Sequence, residues 1–277
     1  VQLVNAHLLF NAGVVVLGLP FVRAVHRLTE MLLPEIPVQS VPERRPRSAL
    51  DRNTLALPSL ALASAKRELL LLGEAVEEML RPVIDVLDNA SEGQIAALRG
   101  LDDEVDRRHS DIKLFITELN RRDLSEEDAR RSIELTDFAI NLEHIGDIIA
   151  KTLLPLAEKK GAENRRFSDE GWREIRELHA RVLANTQLAM NVLISADTAS
   201  ARQLMLEKET MRRLERESHE SHLERLQHGN ADSLATSNWH LEVVRAFKEI
   251  NSLLVTVAVP ILEERGMILK SRLAAPR

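Results

Sequence analysis

"NLEHIGDIIAKTLLPLAEKKG", Asn141 to Gly161, returns 105 residues later as "AFKEINSLLVTVAVPILEERG", Ala246 to Gly266, without a gap. Ile145 falls on Ile250, Pro155 on Pro260, Glu158 on Glu263 and Gly161 on Gly266. These identities, with hydrophobic partners between them, mark a duplicated scaffold. The charges do not follow it: Glu143 becomes Lys248 and Asp147 becomes Ser252.

Outward from this stretch the apolar residues keep a helical period from Ser59 onward, with almost no strand signal. Breaks at Asp88–Ser91, Asn120–Ser125, Lys160–Ser168, Ser195–Thr198 and His228–Ser233 predict helices near 60–87, 91–120, 125–160, 168–194, 198–228 and 233–265. Ser91 with Gln94 and Ser125 with Asp128 have N-cap spacing, and Gly161 and Gly229 stand where helix-ending glycines belong. The offset then divides the chain into two three-helix repeats, about 59–161 and 168–266. The expected class is all-α: a bundle of long helices joined by short turns.

Composition agrees. Aromatic residues make up 3% of the 277 and Tyr is missing, so the core must come from Leu, Ile, Val and Ala, which favours packed helices over a β-sandwich. The net charge of −6 and the scarcity of stacking residues argue against a nucleic-acid partner. Without Cys there is no disulfide framework and no thiolate chemistry.

The first 34 residues read differently. No Lys, Arg, Asp or Glu occurs from Val1 to Val22, an uncharged length sufficient to cross a bilayer. Arg23, Arg27, Arg44, Arg45, Arg47 and Arg52 follow, which by the positive-inside rule place the rest in the cytoplasm. Pro34, Pro37, Pro42, Pro46 and Pro58 make residues 35–58 an extended Pro/Arg linker leading to a helical domain over 59–277. A buried core helix or an interfacial segment is the alternative reading of 1–34. The start at Val1 rather than Met reads as a segment of a longer protein.

Glu143 and Asp147, spaced i, i+4, share one helix face beside the apolar Ile145, Ile148 and Ile149. Like charges held there repel unless a cation lies between them. Asp103 and Asp106 on the preceding helix, with Asp102, would add oxygen ligands across the bundle. The candidate metal ligands are therefore Glu143, Asp147, Asp103 and Asp106, with a solvated acidic face as the competing reading. His219 and His222 also have chelating spacing, but "ERESHESHLERL" (Glu215–Leu226) is charged all round and reads as a solvated face. Trp172 and Trp239 read as packing anchors. No E-x-x-H, phosphate-binding glycine loop, G-x-S-x-G or H-E-x-x-H occurs, and no nucleophile has a base beside it, so no enzymatic activity is expected.

"NLEHIGDIIAKTLLPLAE" resembles the "LERIGDxAxNIAE" signature of PhoU, a helical bundle of two three-helix repeats in phosphate signalling, whose E-x-x-x-D pairs hold metal ions. "NAHLLFNAGVVVLGLPF" resembles the last membrane helix of bacterial Na⁺/phosphate cotransporters that carry a PhoU-like domain after the membrane part. "EVVRAFKEINSLLVTVAVPILE" (Glu242–Glu263) is similar to their altered second repeat. The resemblance covers nearly the whole chain. It implies a PhoU-like six-helix bundle preceded by one transmembrane helix, in the bacterial inner membrane with the bundle cytoplasmic. It also implies a divalent or trivalent metal ion at the first repeat only, since Lys248 and Ser252 cannot form a carboxylate site. The implied function is regulation of phosphate uptake by a Na⁺-coupled symporter, with Na⁺ and inorganic phosphate handled by an upstream membrane domain. The alternative is a membrane-tethered module that binds a signalling protein.

Overall fold

The computed structural model describes residues 48–89 and 91–268. The expected membrane segment 1–34, and the expected linker up to Arg47, lie outside the described residues. Among the described residues no helix is long and apolar enough to cross a membrane. The rest of the expected linker is part of the bundle: Arg52–Ala56 forms a 3₁₀ turn capped by the Asp51 carboxylate, and Leu55 is buried.

The first repeat comprises α1 (Pro58–Leu80), α2 (Val83–Asp88), α3 (Glu92–Leu119), α4 (Glu126–Ile148) and α5 (Leu154–Ala162). The second comprises α6 (Asp169–Ser195), α7 (Thr198–Gln227), α8 (Ala231–Ala235), α9 (Ser237–Leu254) and α10 (Ala258–Glu264). Within the first, α1 packs on α3 and α4; within the second, α6 packs on α7 and α9. The halves meet through α1 against α6 and α4 against α9. Leu69, Leu72, Met79, Leu142 and Ile145 are fully buried on one side, and Val182, Val243, Phe247 and Ile250 on the other.

Ser91 and Ser125 cap as their spacing predicts, accepting the backbone N–H of Gln94 and of Asp128. Expected continuities fail at four places, each at an identifiable residue. Pro82 has no N–H to donate and ends α1 at Leu80, so the predicted 60–87 helix is two. Thr236, outside helical geometry, splits 233–265 at its start. Pro155 and Pro260 disturb the third helix of each repeat differently. Ile149–Leu153 widens into a π-turn ahead of Pro155, whereas Val255–Val257 tightens into a 3₁₀ turn ahead of Pro260.

Gly229 ends α7 in the left-handed region (φ 71°), as predicted. Gly161 does not end its helix; α5 runs on to Ala162, and Asn164 takes the left-handed position (φ 49°) while Arg165 N–H closes onto Lys160 C=O. Asn tolerates this conformation better than other side chains, so the last helix of the first repeat outlasts the matched glycine.

The α3 and α7 helices correspond in register at an offset of 106, one more than the third helices. Ser91 and Asp197 are both N-caps, and buried Ile95, Leu98, Val105, Ile112 and Ile116 match buried Ala201, Leu204, Met211, Ser218 and His222.

Candidate cation site

The third helix of the first repeat crosses α3 at Gly146. A methyl group on Gly146 would stand 3.1 Å from Val105 Cγ1 and 3.2 Å from Asp102 Oδ1, so glycine is what lets α4 approach this closely. The approach brings Asp147 to Asp102 and Asp106, which follow one another by one turn on α3. One carboxylate oxygen from each of the three lies within 4.8 Å of the others.

The cluster is charged and half-buried. Burial first, then the charges of Asp106 and Asp147, push the Asp102 carboxyl up to about 6. Its Oδ1 is buried without a hydrogen-bond donor. Asp147 is met by the Lys151 ammonium, one turn further along the π-turn. That hydrogen bond holds Lys151 above its ordinary value. Three convergent carboxylates, one with an orphaned buried oxygen, suit a hard cation such as Mg²⁺, Mn²⁺ or Ca²⁺, whose remaining positions water would fill.

Of the residues expected from sequence, Asp106 and Asp147 belong to this group, whereas Glu143 and Asp103 do not; Asp102 completes it. Asp102 and Asp106, at i, i+4, share the face that meets Gly146, and Asp103 is turned about 100° away from it around the helix. The signal for this was the glycine next to Asp147: the face that packs closest is the one that collects the carboxylates. His109 is not in the group, and its Nε2 is buried without a partner.

The second repeat keeps none of this constellation. At its register offsets Asp102 matches Lys208, Asp106 matches Arg212, and Asp147 matches Ser252. Gly146 matches Asn251, which is buried and accepts a hydrogen bond from Asn185 Nδ2 at 2.8 Å. Lys248, at the place of Glu143, reaches across to Glu215 on α7 at 3.2 Å. An internal ion pair thus spans the helices that a metal would span in an acidic copy.

One expectation is overturned in the same helix. The charged stretch Glu215–Leu226 is not solvated all round, because Ser218 and His222 are 4% and 1% exposed. They continue the spacing of Leu204 and Met211 toward α6 and α9, so phase rather than local charge decides their burial. His219 is exposed whereas His222 is buried, so the two imidazoles lie in different surroundings. Trp172 and Trp239 pack against the core as expected, Trp172 stacking on Phe167 at 6.0 Å.

Residues 69–153 match the PhoU domain. The chain is 35% identical over 261 residues to "Putative inorganic phosphate export protein YjbB" of Salmonella typhimurium LT2, covering 93% of this chain and 47% of that protein. It is 34% identical to the protein of the same name from Escherichia coli K12, with the same coverage. Among solved structures it resembles PhoU from Pseudomonas aeruginosa (TM-score 0.67, 21% identity, 74% of this chain and 97% of that one). It also resembles the phosphate transport system regulatory protein PhoU from Streptococcus pneumoniae (TM-score 0.66, 13% identity, 77% and 100%). This chain carries a PhoU domain in an all-helical PhoU-like fold, is homologous to YjbB, and spans about half the length of the curated relatives it matches.

Proposed function

We propose that this chain is the regulatory portion of an inorganic phosphate transport protein, and that its bundle sets the flux through a membrane portion in the half of its relatives' length that it does not span. The observation that carries this reading is the 35% identity, over nearly the whole chain, to proteins named for inorganic phosphate export. The membrane portion couples phosphate movement to Na⁺, and the bundle faces the cytoplasm. Asp102, Asp106 and Asp147 hold a hard cation that ties α3 to α4 and so fixes the packing of the first repeat. This reading gives the chain no catalytic role, in keeping with the polar cluster around Ser218, where both Ser218 Oγ and Glu174 Oε2 approach the same His240 nitrogen, Nε2, at 3.1 and 3.2 Å. A serine–histidine–carboxylate relay needs them on opposite nitrogens.

The test is radiolabelled phosphate flux in cells expressing the full-length protein, with and without residues 59–277, in Na⁺ or in choline medium. Flux that depends on Na⁺ and changes at least severalfold on removing the bundle is the expected result. Unchanged flux without the bundle rejects the regulatory role, and equal flux in choline rejects coupling to Na⁺. In parallel, Mn²⁺ binding to the chain should disappear in Asp102→Asn/Asp147→Asn; an undiminished affinity removes the cation site.

A second reading has its own support. A groove of about 820 Å³ runs between α1, α4, the end of α6 and Thr256–Glu264, lined by Leu62, Phe138, Ile140, Val192, Val259 and Pro260. An apolar groove of this size suits a helix from a partner protein, as a tethered interaction module would require. Loss of a co-purifying signalling protein on Ile140→Glu, with phosphate flux intact, favours that reading over transport control.

A further inference from the structure

The second repeat puts a polar cluster where the first has plain hydrocarbon. Ser218 and His222 hold the register positions of Ile112 and Ile116, which are 0% and 2% exposed. Isoleucine therefore satisfies the packing at these places, and the polar pair needs another reason.

The pair belongs to a largely buried network. The imidazoles of His222 on α7 and His240 on α9 stack at 4.9 Å, 14° from parallel, and both are nearly inaccessible. Gly171 makes room for His240: a Cβ there would lie 3.1 Å from His240 Nδ1. His240 Nε2 stands 3.2 Å from Glu174 Oε2, and His222 Nε2 is 2.8 Å from Ser237 Oγ. Glu174 also accepts from Ser218 Oγ at 2.6 Å and from both terminal nitrogens of Arg225, at 2.6 and 3.2 Å.

The charges around the stack can be counted element by element. α6 supplies Glu174 and, at the edge of a small cavity beside Ser218, Glu177. α7 supplies Arg225, the exposed His219, and Glu217 on that same cavity. α8 and α9 face it with Ser233, Ser237 and His240, and the segment before α6 with Phe167 and Ser168. Lys160 of α5 stays behind the Phe167 ring. With both imidazoles neutral, Glu174 and Arg225 balance. Glu177 and Glu217 are engaged by Arg181 and Arg213, so a proton on His222, whose Nε2 meets the Ser237 hydroxyl, adds a cation beside the His240 ring and the Arg225 guanidinium in a buried site.

We propose that this end of the bundle is an acid-released latch: protonation of His222, stacked on the His240 ring, pushes α7 from α9 and opens the second repeat there, while the first repeat stays closed. The electrostatics agree in direction. Burial, then the neighbouring His240 and Arg225, push His222 down to about 4. Burial works to raise Glu174, yet hydrogen bonds from His240, Arg225 and Ser218 hold it at about 2, so the carboxylate stays charged throughout. A histidine depressed below its ordinary 6.5 stabilises the closed form above that pH and loses the contribution as pH falls toward 4.

Hydrogen–deuterium exchange of the whole chain at about pH 7.5 and about pH 5, corrected for intrinsic rates, tests this. Peptides within 219–240 should exchange about tenfold faster at the lower pH, with those from 61–80 unchanged. In His222→Phe, which keeps a flat ring against His240 but cannot charge, the rise should fall to about twofold or less. His219→Ala should respond as the wild type does. If His222→Phe fails to fold, His222→Gln serves with the same expectation. No selective rise in the wild type, or an equal rise in the uncharged variant, overturns the proposal.

Discussion

His144 Nε2 on α4 and Glu249 Oε1 on α9 stand 3.8 Å apart, and they are the same position of the two repeats. Matched positions meet only where two copies face each other about a local two-fold relation, so α4 and α9 cross at the duplicated stretch itself. Asn141 Nδ2 donates to Thr256 Oγ1 at 2.9 Å in the same crossing. Yet both members of the ion pair are half-exposed, at 49% and 48%. His144→Ala/Glu249→Ala should therefore cost only about 0–1 kcal/mol in urea unfolding. A loss of several kcal/mol would mean that the pair, and not the apolar residues around it, holds the repeats together.

Gly146 is the sensitive position of that helix. Its missing Cβ leaves room for Val105 and Asp102, so Gly146→Ala should destabilise the protein by about 1–3 kcal/mol through overpacking. Gly100, also helical, faces open space. Gly100→Ala should instead stabilise by about 0.5–1 kcal/mol, since alanine restricts the unfolded chain and prefers the helix. Equal effects from the two would show that α3 and α4 have room to spare at Gly146.

How much of this was legible in the sequence varies with the range of the interaction. Caps at Ser91 and Ser125 depend on residues three places away, and they were readable. The duplication was readable because identities survive in one ungapped stretch. Burial of Ser218 and His222 was hidden, since their neighbours are charged and only their phase with Leu204 and Met211 marks them as inward. The composition of the candidate cation site was half hidden. E-x-x-x-D spacing drew attention to Glu143, whereas the partners of Asp147 follow from where Gly146 lets α3 approach, a fact of packing between helices.

Lys151 competes for the same carboxylate that a metal would use. Its ammonium pairs with Asp147 although the side chain is largely exposed, and it is matched by uncharged Thr256 in the second repeat. Replacing Lys151 with Met removes a mobile cation from the site and leaves the three carboxylates. Calorimetric titration with Mn²⁺ should then show about tenfold tighter binding. Weaker binding would mean that Lys151 orients Asp147 more than it neutralises it.

Glu68 and Arg108 form the most deeply buried ion pair among the described residues, at 1% and 6% side-chain exposure. One Glu68 oxygen takes Arg108 Nη1 at 2.5 Å; the other takes Ser48 Oγ at 3.0 Å and the Ala49 N–H at 2.5 Å. Arg108 Nε also reaches Glu104, at 2.7 Å. The register partner of Arg108 in the second repeat is Leu214, so a hydrocarbon side chain fits that position in a copy of the same scaffold. Removing one charge strands the other: Arg108→Leu should cost about 3–5 kcal/mol because Glu68 is left buried and unpaired. Glu68→Leu/Arg108→Leu should recover most of that loss, since neither charge then remains in the core. Ser48 and Ala49 lose their acceptor in the double variant, which sets the remainder at about 1–2 kcal/mol and should appear as faster amide exchange at Ala49. If the double variant is as unstable as the single one, the pair contributes through a specific geometry that apolar packing cannot replace.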